Sequence, residues 1–246
     1  MTIGTGEVRA WCVKLVREPA LIACARSLLS PDELERANGF HSQDLRDDFV
    51  LSRGLLRVLL AMHHHVAPAA IRFTYGPHGK PALAASLDST IRFNISHSAG
   101  LFACAIANGC EIGIDVERHR SLSDHVEIAR RFFSQGEYDA ILRTDDAART
   151  AAFFDCWVRK EALIKALGGG LSIPLDHFDV SVEAGRATFL PAAEGVADDE
   201  RQWQLHAFSP SAGFSGALAF RDPRKQISIH HAAARSVFAE AGFLQQ

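Results

Sequence analysis

The sequence predicts an α+β protein in which two successive halves each combine amphipathic helices with short apolar strands. Three observations carry this. The segment from about Ser42 to His64 repeats apolar residues at helical spacing, with Phe49, Leu56, Leu59 and Leu60 on or near one face. "LFACAIANGCEIGIDVE" consists instead of two short apolar runs punctuated by Asn108-Gly109. After residue 120 the succession restarts. Helix-like "HVEIARRFFSQGEYDAIL" and "TAAFFDCWVRKEALIKALGGG" are followed by strand-like "FDVSVEAGRATFLP", "RQWQLHAFS" and "FSGALAFR".

In chain order, "LSPDELERANGF" starts a helix, with Ser30 as cap, Pro31 in the first turn and Glu33 three residues after the cap. On the long helix after it, Arg46, Arg53 and Arg57 stand at i, i+7 and i+11 and form one basic stripe, whose ordinary reading is a solvated face. "IRFTYGPHGKPAL" is a strand and then a Gly/Pro turn that presents Lys80. "TIRFNISHS" is a strand ending in Ser96-His97-Ser98. Asn108-Gly109 is a strong hairpin signal, so the first sheet is expected to end in a strand delivering Asp115 and Glu117. In the second half, Ser134 and Glu137 make a capping box, and Gly168 to Gly170 end the long helix. "PAAEGVADDE" reads as a surface loop, and the residues from Ala232 onward as a short helix.

Composition bounds the function. The chain has 246 residues, 48% hydrophobic and 22% charged, with a net charge of −3, so no global basic excess marks a nucleic-acid binder. The N-terminus lacks the pattern of a secretory signal, and no apolar run is long enough to cross a bilayer. Cys12, Cys24, Cys104, Cys110 and Cys156 form no C-x-x-C, which fits reduced thiols in a cytoplasmic protein. His63, His64 and His65 point about 100° apart on a helix and cannot close on one ion; a solvated helix end is expected.

The chemistry concentrates in "IGIDVE". Ile112, Ile114 and Val116 alternate with Gly113, Asp115 and Glu117, so a strand here turns both acids to one face. Two such charges repel unless water bathes them or a cation lies between them. On the later helix Trp157, Glu161 and Lys165 stand at i, i+4 and i+8; an ordinary surface ion pair is the plain reading. Taken together, Asp115, Glu117 and Glu161 offer three carboxylates suited to Mg²⁺ or Mn²⁺. The arginine stripe, Lys80 and Lys165 add the separate cations that a diphosphate substrate needs.

"FNISHS", "IGIDVE" and "FFDCWVRKEALIKALGGGLS" resemble, in order and spacing, the signature segments of the Sfp-type 4′-phosphopantetheinyl transferases, and "YGPHGKP" and "RFFSQGEY" resemble the segments between them. The resemblance runs from about residue 30 to residue 180. It implies a pseudo-dimer of two similar halves, drawn here as 1–111 on the coenzyme A side and 112–246 with the metal and catalytic helix, with the active site in the cleft between them. It implies transfer of the phosphopantetheine arm of coenzyme A to a serine of an apo acyl, peptidyl or polyketide carrier protein. By position, Asp115, Glu117 and Glu161 match magnesium ligands and Glu161 also the base. Lys165 matches the lysine facing the departing 3′,5′-ADP. Ser96 and His97 match phosphate-holding residues, and Lys80 a phosphate-binding lysine. Arg53 and Arg57, and less closely Arg46, match basic residues for coenzyme A. Glu33 and Asp48 depart from the pattern, standing where some members are basic.

Two other functions use the same residues: a Mg²⁺-dependent diphosphate hydrolase with water replacing the serine, and a binding protein without chemistry. A requirement for a carrier protein separates the first from transfer, and metal-dependent turnover the second. The expected protein is a monomer that engages neither nucleic acid nor membrane. An acidic carrier is expected to dock near Gly169, with Arg159 and Lys160 supplying charge and with Leu171, Ile173 and Leu175 either offering an apolar strip or buried inside the protein.

Overall fold

Two sheets packed face to face, each with helices on its outer side, organise the computed structural model, which describes residues 2–87, 89–120, 124–170, 173–183, 189–190 and 203–244. The first sheet has the order β11-β1-β5-β4, built from β1 (Glu7–Lys14), β4 (Ile91–Ser98), β5 (Leu101–Asn108) and β11 (Gln226–Ala233). Only β1 and β11 run parallel. The second sheet is β6 (Ile112–Arg118), β10 (Phe214–Arg221) and β9 (Trp203–Phe208), antiparallel throughout. Helices α1 (Pro19–Ser27), α2 (Pro31–Asn38), α3 (Gln43–His64) and α7 (Ala234–Glu240) cover the first sheet, and α4 (His125–Phe132), α5 (Gln135–Arg143) and α6 (Asp146–Leu167) the second. The short pairs β2 (Phe73–Tyr75) with β3 (Pro81–Leu83), and β7 (Asp179–Val180) with β8 (Phe189–Leu190), complete a mixed α+β fold.

Strand alternation makes the layers. On β5, Phe102, Cys104 and Ile106 face the helices while Ala103, Ala105 and Ala107 face the other sheet. On β6, Ile112, Ile114 and Val116 enter that same inter-sheet core, so the expected division of "IGIDVE" into an apolar and an acidic face holds.

The expected hairpin at Asn108-Gly109 does not form. Both edges of β5 are taken, by β1 and β4, so the chain turns at Gly109 and enters the second sheet beside β10. The tight hairpin of this region is instead Ala99-Gly100, where both residues have positive φ and Ser98 pairs with Leu101. At the C-terminal end α7 forms as read, but β11 and α7 return to the first sheet and its core, so a division at 111/112 parts the sheets only up to residue 225.

Both capping boxes are present and reach further than the helix ends. Glu33 accepts from the Ser30 amide and from Arg57 Nε (2.7 Å), while Arg57 Nη1 donates to the carbonyls of Pro68 and Ile71. Glu137 accepts from the Ser134 amide and pairs with Lys160 (2.8 Å), whose Nζ donates to the carbonyls of Leu175 and Phe178. Arg57 and Lys160 each lie fourteen residues beyond the first residue of their 22-residue helices.

Several sequence expectations are thereby corrected. Arg53 and Arg57 are not a solvated stripe but buried, at 6% and 1% exposure. Arg159 and Lys160 are buried too, Arg159 donating through its two terminal nitrogens to the carbonyls of Ser181 and Glu183, so neither supplies charge to a docking face. Leu175 is buried in the second core, and Leu171 and the segment 191–200 lie outside the described residues. His63 is buried edge-on to Trp11, so only part of the triple histidine is a solvated helix end.

Gly113 fixes how closely α6 crosses β6: a Cβ there would lie 2.0 Å from the Ala162 carbonyl oxygen and 2.6 Å from the Ala166 amide nitrogen. Those are backbone atoms and cannot swing aside. Gly113→Ala is therefore expected to cost about 3 kcal/mol in chemical denaturation, since α6 must lift off the strand. A loss below about 0.5 kcal/mol, within the range of surface substitutions, would contradict this packing.

Candidate functional site

The site forms where β4 of the first sheet runs beside β6 of the second. No backbone ladder joins these strands; alternate side chains of β4 take its place. Asn94 Oδ1 accepts from the Ile114 amide (3.0 Å), Ser96 Oγ from the Val116 amide (3.3 Å) and Ser98 Oγ from the Arg118 amide (3.2 Å). The opposite face of β4, with Phe93 and Ile95, packs against the first core. Ser96 and His97 therefore diverge, Ser96 towards β6 and His97 towards the helical side.

Asp115 is buried at the centre of this seam. Its Oδ1 accepts from Ser96 Oγ (2.8 Å) and Lys165 Nζ (2.6 Å), and Lys165 also reaches Ser96 Oγ (3.2 Å). Glu117 Oε2 accepts from Ser98 Oγ (2.7 Å). Glu161 approaches from α6: its carboxyl is pushed up by burial and then by the charges of Asp115 and Glu117, against an opposing pull from Lys165. Lys165 is thus no simple surface partner of Glu161, since its ion pair is with Asp115.

Asp115 Oδ2 and Glu161 Oε1 are buried without a hydrogen-bond partner. Buried anionic oxygens left so are costly, and they are the donor type that a hard divalent cation takes. The set fits Mg²⁺ or Mn²⁺ in chemistry. Among the described residues no three acidic, histidine or cysteine groups are already gathered at ligation geometry.

A cavity of about 740 Å³ adjoins the seam, bounded by α2, α3, the β2–β3 hairpin and the Ala99-Gly100 turn. His97 and Ser98 form one wall; Arg36, Arg53 and Tyr75 are among the groups opposite. Arg53 Nη1 is buried without a partner, and the guanidinium packs over the rings of Phe49 and Phe73. A smaller cavity of about 200 Å³ lies beyond Gly79, Pro81 and Ile95 and has Lys80 and Lys165 on its wall. Burial holds the Lys80 amine below its ordinary value, partly offset by Glu111, and its Nζ donates to the Ala166 carbonyl. Arg46 and Arg57 do not line either cavity: Arg46 donates to Gln43 and the Phe40 carbonyl, and Arg57 is committed as described. The two unexpected acids are likewise paired internally, Glu33 with both Arg57 and Arg53 (3.4 Å from its Nε) and Asp48 with Arg17.

Sequence reasoning passed over Ser98, Arg36 and Tyr75. Ser98 had a signal, the Ser-x-Ser alternation of "SHS"; Arg36 and Tyr75 had none. It also passed over Ser215, the cross-strand neighbour of Glu117, which donates to Asp155 and so accepts from His119 Nε2 (2.8 Å).

Comparison with known proteins places the chain in a family. The family model described as 4′-phosphopantetheinyl transferase superfamily matches residues 111–219, and that described as 4′-phosphopantetheinyl transferase, N-terminal, matches residues 18–109. The two matches adjoin where the chain crosses between sheets. The 4′-phosphopantetheinyl transferase HetI of Nostoc sp. is 36% identical over 220 residues, 89% of this chain and 90% of that protein. The 4′-phosphopantetheinyl transferase Sfp of Bacillus subtilis is 36% identical over 154 residues, 63% of this chain and 66% of that protein. With two adjoining family matches and a relative similar along nearly its whole length, this chain belongs to the 4′-phosphopantetheinyl transferase family.

Proposed function

We propose that this protein transfers the 4′-phosphopantetheine arm of coenzyme A to a serine hydroxyl of an apo acyl or peptidyl carrier protein, releasing 3′,5′-ADP. The observation that carries this reading is the meeting of Asp115, Glu117, Glu161 and Lys165 at one seam, beside a cavity walled by His97, Arg36 and Arg53. Asp115, Glu117 and Glu161 would hold Mg²⁺ or Mn²⁺, which when bound neutralises charge on the diphosphate. Glu161, its carboxyl raised by burial and by its acidic neighbours, takes the proton of the attacking serine. The serine Oγ–P bond forms as the phosphoanhydride bond to 3′,5′-ADP breaks. Lys165 supplies positive charge toward the leaving phosphate. His97, Arg53 and Lys80 hold phosphates of coenzyme A; Arg46 and Arg57 support the wall rather than touch the ligand. The smaller cavity, lined by Lys80 from the first half and Lys165 from the second, is read as the cleft between the halves and shares Gly79, Pro81 and Ile95 with the larger cavity of the first half; the matched roles of Arg57 and Lys160 support reading the halves as structural repeats. The protein works as a cytoplasmic monomer.

Mass spectrometry of apo carrier proteins incubated with coenzyme A, Mg²⁺ and this enzyme tests the reading: the carrier should gain the phosphopantetheine arm. Loss of coenzyme A without any change in carrier mass would mean hydrolysis instead. Asp115→Asn should abolish the mass gain, and excess chelator should do the same to the wild type.

Lys165→Ala is expected to lower kcat roughly 100-fold to 1,000-fold while the KM for coenzyme A moves far less. An unchanged kcat would leave Lys165 as a counter-ion of Asp115 only.

Glu161 links the site to stability. Its folded carboxyl binds a proton more tightly than the unfolded one, whose value is near 4.5. Stability from this group is therefore full in acid and declines as pH rises from 4.5 through the raised folded value. With chelator present, Glu161→Gln should remove that decline, so that its Tm exceeds the wild type at pH 8 while transfer is lost. A lower Tm at pH 8 would mean that the carboxylate is stabilising as it stands.

A further inference from the structure

Along the seam the three side chains of β4 are not the same, and the difference follows their neighbours on β6. Asn94 accepts the amide of Ile114, which follows Gly113, a residue with no side chain to be oriented. Ser96 accepts the amide of Val116, which follows Asp115, and donates its own hydrogen to Asp115 Oδ1. Ser98 repeats this one step on: it accepts the amide of Arg118, which follows Glu117, and donates to Glu117 Oε2 at 2.7 Å. A hydroxyl can accept one hydrogen bond and donate another at the same oxygen, which suits a position that must satisfy a backbone amide and aim a carboxylate together.

From this repetition we infer that Ser98 is a positioning residue for the metal-binding carboxylates, and that it acts by holding Glu117 Oε2 so that the other oxygen is presented to the divalent cation. Ser96 does the same for Asp115, whose Oδ2 is the buried oxygen left unpartnered. The assignment rests on the metal site proposed above and extends it to a residue in the wall of the large cavity. Such hydrogen-bonding supports of metal ligands typically change affinity by about 10-fold to 100-fold when removed.

The experiment is calorimetric titration of the protein with Mn²⁺ alone, without coenzyme A or carrier, on wild type, Ser98→Ala and Ser98→Thr, with a melting temperature for each. Ser98→Ala should weaken Mn²⁺ binding at least about 10-fold. Ser98→Thr, which keeps the hydroxyl, should stay within about 2-fold of the wild type. The melting temperatures should differ little, because the amide that Ser98 accepts belongs to exposed Arg118. Equal Mn²⁺ affinity in wild type and Ser98→Ala overturns the assignment while leaving the metal site standing. Equal weakening in the Ala and Thr variants also overturns it, since shape and not the hydroxyl would then matter. Wild type that binds no Mn²⁺ overturns the metal site and this assignment together.

Discussion

The structure depends on a strand contact in which side chains replace a backbone ladder. Had β4 and β6 paired through their own amides and carbonyls, the two sheets would be one, and Asp115 and Glu117 would emerge on a continuous surface. Because Asn94, Ser96 and Ser98 stand between the strands, the sheets stay separate and the serine hydroxyls also reach the acids. The buried bond from Ser96 to the Asp115 carboxylate contributes about 1.5–3 kcal/mol and the more exposed one from Ser98 to Glu117 less, so the seam that joins the halves is also the device that aims the acids. Folding and site assembly share the same atoms.

On the outer side of each sheet a second constraint holds the long helices in place. Arg57 and Lys160 are cations buried against a capping-box glutamate and two carbonyls. Removing one member of such a buried pair typically costs about 3–5 kcal/mol, because the other charge is left without a partner. The glutamate ties the start of α2 or α5 to the middle of α3 or α6, and the carbonyls tie in the segment that follows. Lys160 thereby fixes α6 from behind, while Gly113 lets it lie close to β6 in front. Glu161 and Lys165 are carried to the acids by a helix held on both sides.

The site itself is not optimised for stability. Burial and the neighbouring Asp115 and Glu117 raise the cost of ionising Glu161, and one oxygen each of Asp115 and Glu161 is buried without a partner. Lys165 meets only part of that charge. A core built for stability alone would carry apolar residues here, and the rest of the molecule offsets the difference through three apolar cores and two buried ion pairs.

Much of this was legible in the sequence, because it depends on local periodicity or local chemistry. The long helices, both capping boxes, the turning of Asp115 and Glu117 to one strand face, and the spacing of Glu161 and Lys165 along one helix all follow from geometry within a few residues. What tertiary structure alone decided is which elements become neighbours. Asn108-Gly109 carries a hairpin signal, yet it cannot act as one when both edges of β5 are occupied, whereas Ala99-Gly100, a weaker signal, closes the hairpin. The arginine stripe is regular in sequence, but whether a guanidinium meets water, a carboxylate or a cavity depends on what packs across it: Arg57 is consumed by Glu33 and two carbonyls, while Arg53 pairs with the other oxygen of Glu33 and also lines the cavity. Alternation predicts that Ser96 and His97 diverge; that one meets Asp115 and the other the cavity follows from the placement of β6, more than ten residues away in the chain. Periodicity fixes the direction of a side chain relative to its own backbone, and only the packing of distant segments determines what it meets.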